Sequence, residues 1–181
     1  MPVRNYPTAE YLRQCFRYEN GKLFWLVRPR EHFKRDSAWV RFNNRYSGTE
    51  AGSLNKPRNR WKVYFRKTHS IHPCRYNIVW AMHYGEWPKK LDHKNRNSQD
   101  DRIENLREST TSQNNANATK RADNTSGYKG VSYRKDMEKW RARITVNGSK
   151  KILGYYDTAE DAHLAYVESA KEHFNEFACS G

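Results

Sequence analysis

Long apolar runs are missing from this 181-residue chain. No stretch approaches the roughly 18 residues that a membrane-spanning helix requires, and the N-terminus, MPVRNYPTAEYLRQ, lacks the apolar segment of a secretory signal. A soluble, intracellular protein is therefore expected. Cysteine is scarce. Cys15, Cys74 and Cys179 are odd in number, far apart and without a paired spacing, which excludes a disulfide framework and a zinc cluster. Hydrophobic residues make up 36%, below the roughly 45–50% usual in globular domains, so no large core is expected. Aromatic residues are plentiful at 14%, with six Trp and twelve Tyr. Small cores can be built around such rings, and wholesale disorder, which is poor in aromatics, is excluded.

Negative charge is also short, with 34 Lys and Arg against 20 Asp and Glu, a net charge of +14. A field of that sign attracts polyanions. With no amphipathic basic helix or long apolar run to favour a membrane surface, the expected partner is nucleic acid. The length suits one domain or two small ones.

Three regions differ in texture. Residues 1–70 begin with a short helical stretch, TAEYLRQCFRY, followed by the strand-like runs KLFWLVR and WKVYFRK. Asn20-Gly21 marks a turn before the first run, and together these read as a small α+β scaffold. Residues 71–118 contain a helical stretch, YNIVWAMHYGEWP, stopped by Gly85 and Pro88, and then an Asn-rich segment. Residues 119–127, TKRADNTSG, read as a linker.

Residues 128–178 repeat a clearer pattern. YKGVSYR, WRARITV and KKILGYY read as three strands, the last two joined by Asn147-Gly148, a two-residue turn that needs positive φ. DTAEDAHLAYVESAKEHF reads as a helix capped by Asp157 or Thr158. Ala159, Ala162, Tyr166 and Ala170 share its apolar face, so three antiparallel strands should pack on one helix as two layers. Charge here is sorted. Residues 120–151 hold ten Lys and Arg against three acids, about +7, while residues 157–177 hold six acids against Lys171, about −5. In the second strand Trp140, Ala142, Ile144 and Val146 alternate with Arg141, Arg143 and Thr145. The apolar set should face the helix and the basic set should face out, as in a β-ribbon that reads DNA. A merely solvated basic face is the alternative.

The pieces YKGV, WRARI, LGYYDTAEDA and the later AY, in that order, resemble the plant Apetala/ethylene-response-factor (ERF) DNA-binding domain over roughly the last fifty residues. That resemblance implies a sheet laid in the major groove. It implies contacts from Lys129, Ser132, Arg134, Arg143, Thr145, Lys150 and Ile152. Ser132, Thr145 and Ile152 stand where plant members more often carry Arg or Trp, so the plant target sequence is not implied.

The Asn-rich segment, LDHKNRNSQDDRIENLRESTTSQNNAN, places Asp92, His93, Asn105 and Asn114 at spacings that could build a metal site. A neutral His can accept a proton from water. One divalent cation, held by one or two protein oxygens plus water and phosphate, can neutralise the charge that develops on a phosphodiester. A hairpin followed by a helix would bring Asp92 and Asn114 together. Asn105 could hold the loop through backbone groups. An ordinary solvated turn, rich in Asn for local hydrogen bonding, remains the alternative at this point.

The Asp-His pair, the Asn-rich loop, Asn105-Leu106-Arg107 and the later Asn114 resemble the H-N-H homing endonucleases of phages and group I introns. By position, the resemblance implies His93 as general base, Asp92 and Asn114 as ligands of one Mg²⁺ or Mn²⁺, and Asn105 as the residue that stabilises the loop and orients the His. Asn95 and Asn97 would be structural. Two positions depart from the family pattern. Asp100-Asp101 replaces the usual Asp-Asn, and Tyr76-Asn77 replaces His-Arg at the start of the preceding helix, with His72 four residues earlier.

The expected fold class is α+β. A mixed N-terminal scaffold over 1–118 would contain a ββα-metal nuclease unit at about 89–118, followed by the linker 119–127 and an ERF-type domain over 128–178. The expected function is metal-dependent cleavage of double-stranded DNA, as a monomer or a dimer. A DNA-binding regulator with a decayed nuclease centre is the runner-up, and a basic RNA-binding protein is a third reading. Surface or helix-face roles are expected for His32, His69, His83, His163 and His173, and core roles for Trp25, Trp61, Trp80 and Trp87. The run Arg28, Arg30, Lys34 and Arg35 would contact phosphates or simply be solvated.

Overall fold

The computed structural model describes residues 6–64 and 72–179. The end of the expected strand WKVYFRK, residues 65–67, and His69 lie outside the described residues. By its contacts the chain divides into two compact units, Met1–Glu108 and Ser109–Gly181. Each mixes helices with small antiparallel sheets, an α+β arrangement.

In the first unit, helix α1 (Ala9–Cys15) starts at Thr8, whose hydroxyl accepts the Tyr11 N–H, and buries Ala9, Leu12 and Cys15. Strands β1 (Phe16–Glu19) and β2 (Lys22–Trp25) form a hairpin. Its turn residues, Asn20 and Gly21, have φ of 47° and 79°, the left-handed conformation that Asn and Gly tolerate best. A Cβ on Gly21 would lie 2.7 Å from the Arg102 nitrogen, so only glycine lets this turn press against the Asp101–Arg102 backbone. Helix α2 (Asp36–Tyr46) has no sequence expectation to match. It buries no residue fully and its N-terminus has no side-chain cap, although Trp39, Phe42 and Tyr46 follow one another at helical spacing. Its Phe42 and Tyr46 nonetheless pack on the core. Strands β3 (Ser53–Asn55) and β4 (Arg60–Lys62) pair beside helix α3 (Arg75–Tyr84), which ends at Gly85 with φ 86°. Strands β5 (Leu91–His93) and β6 (Leu106–Glu108) then form a short hairpin. Leu12, Phe16, Leu23, Trp25, Val63, Ile78, Val79, Leu91 and Leu106 belong to one core.

Arg28 corrects an expectation. It neither meets solvent nor is placed to touch phosphate, because it is only 4% exposed. Its guanidinium sits 4.7 Å from the Phe33 ring centre and 5.0 Å from that of Phe42, and Nη2 donates to the Tyr11 hydroxyl at 2.5 Å. Aromatic faces attract a cation of this kind.

In the second unit, helix α4 (Thr111–Asn117) opens with a capping box between Thr110 and Gln113. Ala116 of α4 is buried with Ile144, Tyr166, Ala170, Phe174 and Phe177. This packing explains why the contact division falls before α4, whereas the polar stretch 119–127 suggested a boundary after it. That stretch is itself tied down. The Asn124 amide donates to the Tyr128 carbonyl, and the Ser126 hydroxyl donates to the Val131 carbonyl, both at 2.9 Å. Strands β7 (Val131–Arg134), β8 (Lys139–Val146) and β9 (Ser149–Tyr156) form one antiparallel sheet in that order. The last turn uses Asn147 and Gly148, with φ of 49° and 83°. Helix α5 (Ala159–Phe174), capped by Thr158, covers the sheet through Ala162, Tyr166 and Ala170.

Candidate functional site

The β5–β6 hairpin presents two adjacent polar side chains from a buried strand. Asp92 faces Arg107 across the ladder, and His93 faces Leu106. Asp92 is 5% exposed and His93 7%. Burying a charge is costly unless it is paired, and Asp92 is paired. Arg107 donates to its Oδ2 from Nε at 3.0 Å and from Nη2 at 2.9 Å. Neighbours on a strand point to opposite faces, so the two side chains are held by separate partners.

His93 Nε2 lies 2.9 Å from Oδ1 of Asp101, which is buried. The other oxygen of Asp101 accepts from Arg75 Nε at 2.8 Å, and Arg75 Nη1 donates to Glu50 at 2.7 Å. The Arg75 guanidinium also lies 4.7 Å from the Trp61 ring centre. The Tyr76 and His93 rings meet edge to face, with centroids 5.1 Å apart and planes at 82°. Burial, reinforced by neighbouring Cys74, pushes the Tyr76 phenol up to about 12. Tyr76 thus stays neutral and accepts from Arg60 Nη1 at 3.1 Å. Where the family has His at the helix start, this chain packs a tyrosine against the candidate base. His72 does not replace it, since it is exposed and its ring lies against Tyr64 at 4.8 Å.

Asn105 holds the intervening loop. Its side-chain oxygen accepts the Asn95 N–H at 3.0 Å, and its amide donates to Asn95 Oδ1 at 3.0 Å and to the Asp100 carbonyl at 2.7 Å. Asn95 and Asn97 cap local turns, each accepting a backbone N–H two residues ahead. Asp100 is held at about 2, well below the usual carboxylate range, chiefly by hydrogen bonding to Arg102, with Asn95 contributing against a small burial cost. Asp92, His93 and Asn105 are therefore gathered on one hairpin and its loop. Asn114 lies in α4 of the second unit, where its N–H donates to the Thr110 carbonyl.

Asp92 offers a carboxylate and Asn114 an amide oxygen. Such hard donors suit Mg²⁺ or Mn²⁺ with most of the shell left to water and phosphate. Among the described residues, no group of three or more His, Cys, Asp or Glu side chains is placed to hold a metal. None of their helices is long and apolar enough to cross a membrane.

On the sheet of the second unit, Ser132 pairs with Arg141, Arg143 with Ile152, and Thr145 with Lys150. These residues share the face turned away from Ala142 and Ile144, which are buried under α5. Two further residues share this face. Arg141, visible in the alternation of the second strand, donates from Nη2 to the Ser132 hydroxyl at 3.2 Å. Tyr155, paired with Arg141 and exposed, follows a register shift between Ala142 and Arg143. Strict alternation from Ile152 would turn Tyr155 inward, and a bulge is hard to see in a sequence. Lys129 leaves the set, because its ammonium is committed to the carbonyls of Asn115, Ala116 and Ala118 at the end of α4. A cation placed there complements the helix dipole. Arg134 pairs with neighbouring Asp136.

Residues 77–116 match a family model described as HNH endonuclease. This segment runs from helix α3 through the β5–β6 hairpin into α4, and it contains Asp92, His93, Asn105 and Asn114. The chain is also 32% identical over 108 residues to protein 3.8 of Escherichia phage T7, an alignment covering 59% of this chain and 88% of the phage protein. No solved structure gives a significant match. The chain therefore belongs to the family that includes phage T7 protein 3.8, and it carries an HNH endonuclease domain at residues 77–116.

Proposed function

We propose that the chain is a metal-dependent endonuclease acting on double-stranded DNA, with His93 as general base, Asp92 and Asn114 as ligands of one Mg²⁺ or Mn²⁺, and the outward face of the ERF-type sheet contacting the target. The observation that carries this reading is the pairing at β5. A histidine oriented by a buried carboxylate stands next to a carboxylate pinned by an arginine. His93 receives the proton of the attacking water. Asn105 keeps the loop closed so that His93 and Asp92 hold their places. A bound divalent cation supplies charge neutralisation at the scissile phosphate. Arg107 restrains the Asp92 carboxylate, so the ligand is oriented before DNA arrives.

Arg141, Arg143 and Lys150 on the sheet supply phosphate attraction, and Ser132, Thr145, Ile152 and Tyr155 line the same face for groove contacts. The net charge of +14 adds long-range attraction to DNA. Cleavage of supercoiled plasmid tests the reading. Nicked or linear product should form with Mg²⁺ or Mn²⁺ and disappear with EDTA. A protein that binds the plasmid but leaves it supercoiled with either metal would instead be a DNA-binding regulator with a decayed centre.

A further inference from the structure

We propose that Asp101, clamped by Arg75, is the positioning residue of His93 and fixes which ring nitrogen takes the proton from water. The inference rests on the nuclease reading, but its geometry is independent of metal and DNA. Sequence resemblance gives the orienting role to Asn105. In the structure Asn105 bonds instead to Asn95 and the Asp100 carbonyl, both parts of the loop. The imidazole Nε2 meets the carboxylate of Asp101, at 2.9 Å. This is one of the positions where the chain departs from the family, with a carboxylate where an amide is usual.

The substitution has consequences an amide would not bring. A carboxylate only accepts hydrogen bonds. With Arg75 donating to Oδ2, Oδ1 accepts from His93, so the proton sits on Nε2 and the lone pair of the neutral ring on Nδ1. An amide could present either its oxygen or its NH₂ to the ring, and so would not specify the tautomer as strictly.

A buried carboxylate also needs compensation, and the chain provides it. Arg75 at the first turn of α3 reaches Asp101 with Nε and Glu50 with Nη1, and its Nη2 lies 3.4 Å from the Gln99 carbonyl. Trp61 lies against the guanidinium. Lys22 in turn lies 3.7 Å from Glu50. The line Glu50, Arg75, Asp101, His93 therefore crosses from the N-terminal scaffold to the candidate base through side chains that are mostly buried. Gly21 adds a backbone restraint, since a Cβ at that turn would lie only 2.9 Å from the Asp101 carbonyl carbon. The scaffold ahead of the matched segment thus has a role in the site: Glu50, Arg75 and Gly21 all precede residue 77, where that segment begins.

Two-bond ¹⁵N–¹H correlation spectra of the full-length protein, without metal or DNA, test this directly. They are recorded at a pH where the ring is neutral, with His93 assigned by comparison with His93→Ala. The expected result is a single Nε2–H tautomer in the wild type, converted to a mixture in Asp101→Leu. In plasmid cleavage, Asp101→Leu should lower the single-turnover cleavage rate by roughly 10–100-fold, the usual cost of losing an orienting partner, with DNA affinity unchanged. Adding Asp101→Leu to His93→Ala should cost nothing further. An Nδ1–H tautomer in the wild type would overturn the proposal, even if the variant failed to fold. So would an unchanged tautomer in a folded Asp101→Leu protein. Failure of the wild type to cut DNA would overturn the nuclease reading instead, and leaves the tautomer measurement to be judged by itself.

Discussion

Replacing Arg75 by Met should be among the most damaging single changes in the first unit, for a reason that can be isolated. Met keeps much of the apolar stem but removes the guanidinium from between Asp101 and Glu50. The Asp101 side chain is 1% exposed, so its carboxylate is left buried beside His93 without a cation. Removing one member of a buried pair costs about 3–5 kcal/mol, and the lost contact with Trp61 adds about 0.5–1 kcal/mol. Glu50 is 28% exposed and can turn to water, so its share is small. With a urea m-value of about 2 kcal/mol/M, the unfolding midpoint should fall by roughly 1.5–3 M. The mechanism is the stranded charge, so Asp101→Asn in the Arg75→Met background should recover a large part of the loss, although each single change is destabilising. Urea unfolding of the four proteins in the double-mutant cycle measures this. A loss below about 1 kcal/mol for Arg75→Met, or a second substitution that deepens the loss, would refute the reasoning.

Asn105→Ala removes three hydrogen bonds from a buried side chain. At about 1 kcal/mol each it should destabilise the loop by roughly 2–4 kcal/mol, seen as faster amide exchange at Asn95 along with weaker cleavage. Asp100 has its folded-state value depressed to about 2 from 3.8. Its contribution is therefore complete above pH 4 and lost as the pH falls from 4 to 2. Asp100→Asn should flatten the pH dependence of the urea midpoint in that window. Gly130 has φ 76° and an added Cβ would lie 2.2 Å from the Tyr166 ring. Gly130→Ala should therefore cost about 2–4 kcal/mol and loosen the second unit, readable by near-ultraviolet circular dichroism. Lys129→Met should lower stability and leave the salt dependence of DNA binding unchanged, whereas Arg143→Met should reduce the slope of log K against log salt by about 0.9.

The parts of the fold that the sequence made visible are those with strong local rules. Asn-Gly turns, the Gly85 stop, the alternation of Trp140 to Val146 and the alanine face of α5 all recur in the structure near the expected places. Helix α2 has no counterpart in the sequence reading although Trp39, Phe42 and Tyr46 follow helical spacing, and the aromatic cluster on which Phe42 and Tyr46 pack is assembled from residues distant in the chain. Arg28 was misread for a similar reason. A basic run is ordinarily solvated, and nothing local announces that Phe33, Phe42 and Tyr11 converge on one of its members. The bulge that turns Tyr155 outward is likewise set by strand pairing, which a single strand's pattern does not record.

At the candidate site, residue types and spacing suggested Asp92, His93, Asn105 and Asn114 and the family resemblance gave them roles; the first three lie on one hairpin with its loop. Their partners were not legible. Arg107 stands opposite Asp92 only once the register is known, and Asp101 reaches His93 across a loop whose shape Asn105 and Asn95 determine. Arg75 was hidden by distance, 26 residues from Asp101. The departures from the family pattern at residues 76 and 101 were visible in the sequence, and both fall on residues that touch the His93 ring.

The central claim is that His93 takes the proton from water in DNA cleavage. The most direct test is single-turnover cleavage of supercoiled plasmid with Mg²⁺ or Mn²⁺ by wild type and His93→Ala, with DNA affinity measured on the same preparations. Metal-dependent nicked or linear product from the wild type, and none from His93→Ala at equal affinity, is the expected result. Equal cleavage by both proteins, or cleavage by neither, would contradict the account.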